Sequence, residues 1–359
     1  MSPLKPRLKE ALRDGLLRWY RRDRRDLPWR RTRDPYRIWV SEIMLQQTTV
    51  KTVSPRYEEF LGRFPDVKTL ARSSEESVLR AWAGLGYYRR ARAMREAAIK
   101  IRDVHGGAFP DRYEDVLSLP GVGRYTAGAV MSIAFGKPYP LVDGNVARVF
   151  ARLFALRGDL KTSAMSQRLW ALAAELLDRR APGDWNQALM ELGATICLPE
   201  APRCSACPVS RLCSARIGGS TGSYPESARR VRAEPLRVEA LYVERGGRVL
   251  LWKRGDGERI LKGHWGFPEI RHVDARPGKL IKTLRHSIMN HRIVLRLRYA
   301  TLQGGGRPKS ARWVNREKLR EYLVSSLWLK CLPPRDGANS GLGGNRGTRY
   351  LFSPVGSRK

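Results

Sequence analysis

Four cysteines lie close together in the chain, with the spacing Cys197-x6-Cys204-x2-Cys207-x5-Cys213. Four thiolates in one compact loop can hold a [4Fe–4S] cluster. Zinc sites also use four cysteines, and many zinc motifs begin with the same C-x-x-C spacing. The spacing alone therefore predicts a metal centre and leaves the cluster and zinc open as alternatives. The fifth cysteine, Cys331, has no assigned role.

A second candidate site is the segment Leu119-Pro120-Gly121-Val122-Gly123-Arg124, which lies between two predicted helices. Two glycines one residue apart allow a tight turn and a close approach of the backbone to a ligand. The helix that follows presents free N-terminal amides, which bind phosphate readily. The segment predicts a helix–hairpin–helix motif that binds the DNA backbone without recognising the base sequence. An ordinary turn between two helices is the structural alternative.

Two carboxylates are candidates for acid–base chemistry. Asp143 stands directly before a predicted helix, where the plain alternative is an N-cap. Glu42 lies on a predicted helix between the apolar neighbours Val40 and Ile43. Apolar surroundings disfavour a charged carboxyl group, so the pKa of Glu42 is expected to rise toward the range that a general acid needs. The plain alternative for Glu42 is a solvent-exposed helix position.

The charge of the chain favours a polyanionic partner. Its 68 Lys and Arg against 34 Asp and Glu leave a formal net charge of +34, and neutralising phosphates releases condensed counterions. A ribosome-associated protein is the alternative. No run reaches the roughly 18 uncharged apolar residues of a membrane span, and the N-terminal region lacks the apolar core of a secretion signal. We expect a cytoplasmic monomer without a membrane partner, associated with the nucleoid in a bacterium.

Most of the candidate residues lie in a region whose pattern predicts helices. Residues 1–217 repeat apolar side chains at three- and four-residue intervals between breaks rich in Gly and Pro, which predicts an all-α region that ends in the cysteine loop. Its predicted helices span residues 36–50, 75–83, 125–135, 145–156 and 165–178.

The pattern changes after the cysteines. A polar linker is predicted at 218–235, followed by a small α+β domain at 236–332. The tail from 333 to 359 is rich in Gly, Arg, Ser and Asn, which predicts disorder. Within the α+β domain, strands are expected at 238–244, 248–253 and 292–300, with a Gly246-Gly247 turn between the first two and a helix at 315–323.

The hairpin, the downstream Asp143 and the cysteine spacing together resemble the helix–hairpin–helix DNA glycosylase superfamily in its iron–sulfur branch. The segments Leu27-Pro28-Trp29-Arg30 and Ser41-Glu42-Ile43-Met44-Leu45-Gln46-Gln47-Thr48 resemble the signature of MutY-type adenine DNA glycosylases. The resemblance covers residues 1–217 with high specificity and continues more weakly to about 330. It implies one [4Fe–4S] cluster. It also implies a base excision repair enzyme that hydrolyses the N-glycosidic bond of adenine opposite 8-oxoguanine or guanine in double-stranded DNA.

The resemblance also implies a role for each carboxylate. The adenine is flipped out of the duplex, Glu42 protonates its N7, and Asp143 stays ionised to stabilise the oxocarbenium-like sugar. Tyr125 and Asn145 would position Asp143 and the attacking water. Relatives that cut the strand carry a lysine in place of Tyr125, and tyrosine cannot form their Schiff base. We therefore expect weak or no lyase activity.

Further residues match binding positions of the family. The expected adenine pocket consists of Leu27, Trp29, Arg30 and Gln187, although Leu27 and Trp29 are explained equally well as core residues. Gln47 and Tyr87 match residues that wedge into the helix where the base has left. Four arginines between Tyr87 and Arg95 form either a solvated face or phosphate contacts. The expected DNA-binding residues are Gln46, Gln47, Thr48, Tyr87, Gly121, Val122 and Gly123.

The C-terminal domain of this family resembles Nudix hydrolases and senses 8-oxoguanine, and residues 261–269 here resemble its central strand and turn. Residues 270–284 contain no glutamate, so neither a metal-binding Nudix helix nor pyrophosphatase activity is expected. A surface hairpin with solvated histidines is the alternative for the lesion-sensing segment. That segment is expected at His286, Ser287, Ile288, Met289 and Asn290.

Two other functions remain open from the sequence. An endonuclease III-like glycosylase/lyase for oxidised pyrimidines would share the scaffold, but Tyr125 and the second domain argue against it. A non-catalytic DNA-binding or redox-sensing protein would share it too, but the presence of both Glu42 and Asp143 argues against that.

Overall fold

The computed structural model describes residues 4–226, 233–288, 290–304 and 310–333. Its N-terminal part is helical, and side chains at the helix starts account for several boundaries. Asp34, Thr49, Asp66, Ser74 and Thr162 each accept a hydrogen bond from a backbone N–H of the first turn that follows. The helices are α1 Pro6–Asp23, α2 Pro35–Leu45, α3 Val50–Arg63, α4 Val67–Arg72, α5 Glu75–Ala81, α6 Arg89–Val104, α7 Tyr113–Leu117, α8 Arg124–Ile133, α9 Gly144–Leu153, α10 Ser163–Leu176, α11 Pro182–Thr195 and α12 Ser214–Ile217.

One continuous core joins these helices, with α2 packed against α8 and with α8 and α9 packed against α11. Small residues allow the close approach. A Cβ on Gly128 of α8 would lie 2.3 Å from the carbonyl oxygen of Pro140, and one on Gly193 of α11 would lie 2.5 Å from Cβ of Asn145. This close packing brings the starts of α8 and α9 close to α2 and α11.

The C-terminal part contains two small sheets. In the first, β6 pairs in parallel with β1 and antiparallel with β5; in the second, β3 pairs with β2, β4 and β7. The strands are β1 Glu234–Tyr242, β2 Glu244–Arg245, β3 Arg248–Lys253, β4 Trp265–Gly266, β5 Ala275–Ile288, β6 His291–Leu302 and β7 Ala311–Asn315, followed by the helices α13 Leu319–Tyr322 and α14 Ser326–Leu329. Both Gly246 and Gly247 have positive φ, as the predicted tight turn requires.

Three elements differ from the sequence predictions. The helix predicted at 36–50 ends at Leu45 and a new helix begins at Val50, because Gln47 adopts a φ of +54° that no α-helix accommodates. The helix predicted at 315–323 is a 3₁₀ turn followed by the single turn α13. The long strand β5 was not predicted, since most of its residues are exposed and its sequence lacks an apolar alternation.

The first part of the segment after α12 packs on the helical region. Arg152, 2% exposed, donates from Nε to the carbonyl oxygens of Thr221 and Tyr224 at 3.1 and 2.9 Å. A buried guanidinium needs such acceptors, and they fix residues 221–224 in place. The disorder predicted for the tail falls almost wholly on residues 334–359, outside the described residues. Within the described part of the chain, no helix has both the length and the apolar character that a membrane crossing requires.

Candidate active site

Glu42 lies on the buried face of α2 and is 5% exposed. Burial raises its pKa to about 7; a hydrogen bond from Tyr125 opposes this shift, and the charge of Asp143 adds to it. The carboxyl group is therefore partly protonated at neutral pH. A group with such a pKa can donate a proton to a leaving base and afterwards accept one from water.

Tyr125 connects three helices at this point. Its hydroxyl, on the first turn of α8, donates to Oε2 of Glu42 across 2.5 Å and lies 3.2 Å from Sδ of Met190 on α11. Burial and the neighbouring carboxylates Glu42 and Asp143 raise the pKa of Tyr125 well above its usual value. The hydroxyl therefore keeps its proton and remains a hydrogen-bond donor at physiological pH.

Asp143 is the N-cap of α9. Its Oδ1 accepts from the backbone N–H of Val146 at 2.7 Å, and its Oδ2 accepts from Nδ2 of Asn145 at 2.9 Å. Burial raises the pKa of Asp143 above its usual value, although these donors oppose the shift because they favour the charged form. The positive end of the helix dipole also favours the charged form. The cap predicted as the plain alternative is thus present, and it also orients the carboxylate.

A guanidinium extends this network toward the cysteines. Nη2 of Arg148 donates at 2.8 Å both to Oδ1 of Asn145 and to the carbonyl oxygen of Gly193. Nε of Arg148 donates to the carbonyl oxygen of Cys197 at 2.8 Å. One side chain therefore joins the first cysteine to the residue that orients Asp143. Nothing in the local sequence predicted this contact, because Arg148 and Cys197 are brought together only by the fold.

Glu191 of α11 is a second buried carboxylate that the sequence analysis missed. It is 1% exposed and accepts from Arg25 and Arg30 at 2.7 Å each. Burial raises its pKa, but the hydrogen bonds from the two arginines outweigh burial and hold the pKa at about 2. Arg30 also lowers the pKa of Glu42, so its charge acts on both carboxylates.

The other expected pocket residues are buried or half-buried in the helical region. Leu27 and Trp29 are buried in the helical core, and the Trp29 ring meets the edge of Tyr57 at 5.4 Å between centroids. Gln187 is half-buried on α11, one turn before Met190 and Glu191, so these three residues share a face. Nε2 of Gln187 donates to the carbonyl oxygen of Gly183 at 3.3 Å.

The glycine hairpin precedes α8 directly. Gly121 has a φ of +75°, and a Cβ there would lie 2.6 Å from Cβ of Ala93, whereas a Cβ on Gly123 would meet nothing within 4 Å. Val122 between them is buried. Gly123 is the N-cap of α8 and supplies no side-chain acceptor. The hairpin therefore offers backbone amides, rather than the Val122 side chain, to an anion.

Gln47 and Tyr87 are both exposed, and both have positive φ, +54° and +47°. Gln46 instead turns inward, where its Nε2 donates to Oγ1 of Thr126 at 3.3 Å. Oγ1 of Thr48 accepts from Nη2 of Arg90 at 3.2 Å. Of the four expected DNA contacts in these two turns, Gln47 and Tyr87 are thus the ones that project into solvent.

The arginines after Tyr87 correct the expectation of a solvated basic face. Arg90 donates to backbone carbonyls, Arg92 pairs with Glu75 at 2.8 Å, and Arg95 donates to the carbonyl oxygen of Ser73 at 2.7 Å. Only Arg89 of the four is exposed. The reason is that the helix ends beside α6 leave carbonyl groups without intrahelical partners, and these arginines satisfy them.

The four cysteines line one small cavity, together with Arg152 and Ile196 among others. All four are described, and no three of their sulfur atoms lie within 4.8 Å of one another. Four sulfurs around one zinc would be separated by about 3.8 Å, given Zn–S bonds of about 2.3 Å. Burial raises the pKa of Cys207 to about 11, with the other thiolates adding to the shift. The spacing therefore does not match a preformed tetrahedral zinc site, and a group that compensates thiolate charge is needed to hold four thiolates together.

The chain is similar in sequence to known DNA repair proteins. A model of the HhH-GPD superfamily of base excision DNA repair proteins matches residues 40–175. The chain is 47% identical to the adenine DNA glycosylase of Rattus norvegicus over 89% of this chain and 77% of that protein. The chain belongs to the adenine DNA glycosylase family. It is also 51% identical to the human adenine DNA glycosylase over 57% of this chain. This match covers 39% of the human protein's length.

Solved structures agree with this family in their fold. A thermostable thymine-DNA glycosylase matches with a TM-score of 0.55 and 34% identity, covering 59% of this chain and 98% of that one. An endonuclease III–DNA complex matches with a TM-score of 0.52 at 21% identity, covering 60% of this chain and 98% of that one. The resemblance to MutY-type adenine DNA glycosylases is thereby confirmed, as is the helix–hairpin–helix glycosylase fold.

Residues expected to sense the lesion lie at the end of β5 and the turn that follows. Nε2 of His286 lies 3.3 Å from Oγ of Ser326, and Ile288 packs against the C-terminal core. Ser287 and Asn290 are exposed, while Met289 lies outside the described residues. The segment forms a hairpin in which Ser287 pairs with Arg292.

Proposed function

We propose that the chain hydrolyses the N-glycosidic bond of adenine opposite 8-oxoguanine or guanine in duplex DNA, in base excision repair. The observation that carries this proposal is the pairing of a partly protonated Glu42 with a capped, hydrogen-bonded Asp143 around Tyr125. Burial raises the pKa of both carboxyl groups, but the hydrogen bonds from Val146 and Asn145 favour the ionised form of Asp143. We therefore assign the acid role to Glu42 and the anionic role to Asp143.

In this mechanism the adenine leaves the stack and enters the site beside Glu42. Glu42 donates its proton to N7, the glycosidic bond breaks, and the base leaves with the bonding electrons. The ionised Asp143 stabilises the cationic sugar. Glu42, now ionised, accepts a proton from the water that adds to the sugar carbon. Asn145 holds Asp143 in place, and Glu191 fixes Arg30 beside the pocket.

The duplex is bound at two places on the helical region. The backbone amides of Gly121 and Gly123 face a phosphate, with the following helix adding its dipole. The amide of Val122 between them donates to the carbonyl oxygen of Leu119 at 3.1 Å and so fixes the shape of the turn. Gln47 and Tyr87 enter the space that the flipped adenine leaves, and Tyr87 provides an aromatic face for stacking. Support for these roles comes from their exposure and from the net charge of +34.

We propose that Cys197, Cys204, Cys207 and Cys213 hold one [4Fe–4S] cluster. Bound there, the cluster would neutralise thiolate charge and hold the cysteine loop together. The sulfurs are not gathered at the spacing of a zinc site, which supports this assignment. Nη1 of Arg152 lies 3.4 Å from Sγ of Cys197 and places a positive charge beside the thiolates.

Residues 1–217 form the catalytic region in this proposal, and residues 236–332 form a Nudix-like domain that senses 8-oxoguanine through the hairpin at 286–290. The enzyme works as a monomer in the cytoplasm, associated with the nucleoid if the cell is bacterial. It is monofunctional, because Tyr125 occupies the position from which a lysine amine would attack the sugar.

One assay tests these statements together. The protein is incubated with a duplex that carries adenine opposite 8-oxoguanine, and strand breaks are compared with and without alkali. Breaks are expected chiefly after alkali, and they should disappear in Glu42→Gln and in Asp143→Asn. Cutting of a thymine glycol duplex without alkali would instead support an endonuclease III-like lyase. Release from neither substrate would exclude both enzymes.

A further inference from the structure

The helical and C-terminal regions meet at the start of α6. The hydroxyl of Tyr88 donates to the carbonyl oxygen of Val324 at 2.6 Å. The Tyr88 ring packs against His264, with 4.5 Å between the ring centroids. All three residues are buried, and the Val324 side chain packs into the core of the helical region. The contact therefore excludes water and depends on one buried hydroxyl.

A second contact lies one helical turn further along α6. Nη1 of Arg92 approaches the carbonyl oxygen of Lys262 at 3.4 Å, while its Nε holds Glu75 at 2.8 Å. Gly263 has a φ of +72°, and a Cβ there would lie 2.8 Å from Nη2 of Arg92. A side chain at residue 263 would thus disturb the approach of the two regions.

The residue just before Tyr88 is the expected wedge, Tyr87. Its φ of +47° is one that non-glycine residues rarely adopt. Gly84 and Gly86 in the same turn also have positive φ. A turn of this kind keeps its shape only when its surroundings hold it, and Tyr88 provides one of the two attachments.

Arg90 provides the other. Its Nη2 donates to the carbonyl oxygens of Leu85 and Gly86 at 3.1 and 3.2 Å. Its Nη1 donates to the carbonyl oxygens at the end of α2, those of Ile43, Met44 and Gln46, at 2.6, 3.0 and 2.6 Å. The same guanidinium therefore joins the Tyr87 turn to the Gln47 turn and to the helix that carries Glu42.

We propose that the Gly84–Arg90 turn transmits the docking of the C-terminal region to Tyr87, Gln47 and Glu42, with Tyr88 and Arg90 as positioning residues. The proposal rests on the proposed function, in which the C-terminal region senses the base opposite adenine. A chain of contacts between two sites shows that the sites are coupled only when a change at one site alters the behaviour of the other. The prediction is that discrimination between 8-oxoguanine and guanine depends on the Tyr88 hydroxyl.

The test uses the full chain with Tyr88→Phe, and Tyr36→Phe as the matched control. The hydroxyl of Tyr36 also donates to a buried carbonyl, that of Phe64 at 2.7 Å, but within the helical region. Single-turnover adenine release is measured on duplexes with 8-oxoguanine and with guanine opposite the adenine. The ratio of the two rates should fall about fivefold in Tyr88→Phe, as expected for one buried hydrogen bond. It should not change in Tyr36→Phe, although both variants unfold at lower temperature.

Gly263→Ala disturbs the same contact between the two regions from the C-terminal side. It should lower the ratio of the two release rates in the same way. Fluorescence of 2-aminopurine beside the target adenine reports base extrusion separately from bond cleavage, and its rise should be smaller in Tyr88→Phe than in Tyr36→Phe. Equal rate ratios in wild type, Tyr88→Phe and Gly263→Ala would overturn the coupling while leaving the proposed activity intact. Failure of the wild type to release adenine from either duplex would overturn the proposed function instead.

Discussion

The hydroxyl of Tyr125 donates to the carboxylate of Glu42 across 2.5 Å, between the first turn of α8 and the buried face of α2. The bond favours the ionised form of Glu42, while burial favours the neutral form. Their balance places the pKa of Glu42 at about 7. Burial and the Tyr125 hydrogen bond thus have opposite effects on the pKa of Glu42. Each of the two can be changed separately by mutation.

Replacing Tyr125 with Phe removes the bond that lowers the pKa of Glu42 and keeps the ring. The pKa should then rise further above its usual value, and Glu42 should stay protonated to higher pH. In single-turnover assays on an adenine–guanine duplex, the loss of activity on the alkaline side should move to higher pH than in the wild type. A descending limb that stays in place, or moves to lower pH, would show that Glu42 is not the titrating acid.

Glu42→Gln should stabilise the fold at alkaline pH while abolishing adenine release. With a folded-state pKa of about 7 and an unfolded value near 4.3, the ionised carboxylate destabilises the folded state. The penalty is absent well below about pH 4 and complete above about pH 7, where it amounts to roughly 3–4 kcal/mol. Urea unfolding should therefore show Glu42→Gln more stable than wild type at pH 8 and equal to it at about pH 3. Equal stabilities at both pH values would contradict the buried position of the charge.

Glu191→Gln should have the opposite effect on stability. The pKa of Glu191 is about 2, so the carboxylate stabilises the folded state above its unfolded pKa, and this stabilisation is lost as the pH falls toward 2. At pH 7 the variant should lose about 3 kcal/mol of unfolding free energy, because Arg25 and Arg30 lose their buried partner. The same unfolding series supplies the measurement, with Glu42→Gln as a control of opposite sign. A stabilised Glu191→Gln at pH 7 would refute the ion-pair geometry.

Short sequence motifs were sufficient to propose some of the site residues. Glu42, Asp143 and the cysteines could be proposed because their neighbours along the chain are distinctive. Glu191, Arg90 and Arg148 were missed, since each is defined by partners that only the fold brings near. The break in the helix after Leu45 was missed for a different reason. The apolar pattern continues through Val50, whereas Arg90 and the positive φ of Gln47 end the helix earlier.

Arg148→Gln should weaken both the catalytic network and the cysteine loop. The change removes donors to Asn145, Gly193 and Cys197, so Asp143 loses the support of its own partner. We expect adenine release to fall at least about tenfold, as for other residues that orient a group in direct contact with the reacting atoms or the metal, together with a lower iron content. Arg13→Gln is the control, because Arg13 makes a similar set of bonds to the carbonyls of Glu175, Leu176 and Leu177, away from the site. Equal losses in both variants would assign Arg148 a purely structural role.

The two hairpin glycines should differ sharply in their tolerance of a methyl group. At Gly121 the φ of +75° disfavours any side chain, and a Cβ would come within 2.6 Å of Ala93. Gly121→Ala should therefore cost about 2–4 kcal/mol of unfolding free energy. Gly123 has an ordinary φ of −102° and open space around it. Gly123→Ala should cost under about 1 kcal/mol, the loss expected from a poorer N-cap. Urea unfolding of the two variants gives both free energies, and similar losses of unfolding free energy would show that the turn does not depend on Gly121.

If Gly121→Ala alone is destabilised, Gly123 remains available for the proposed phosphate contact. The bulkier substitution Gly123→Val should then weaken binding to a nonspecific duplex more than it weakens the fold.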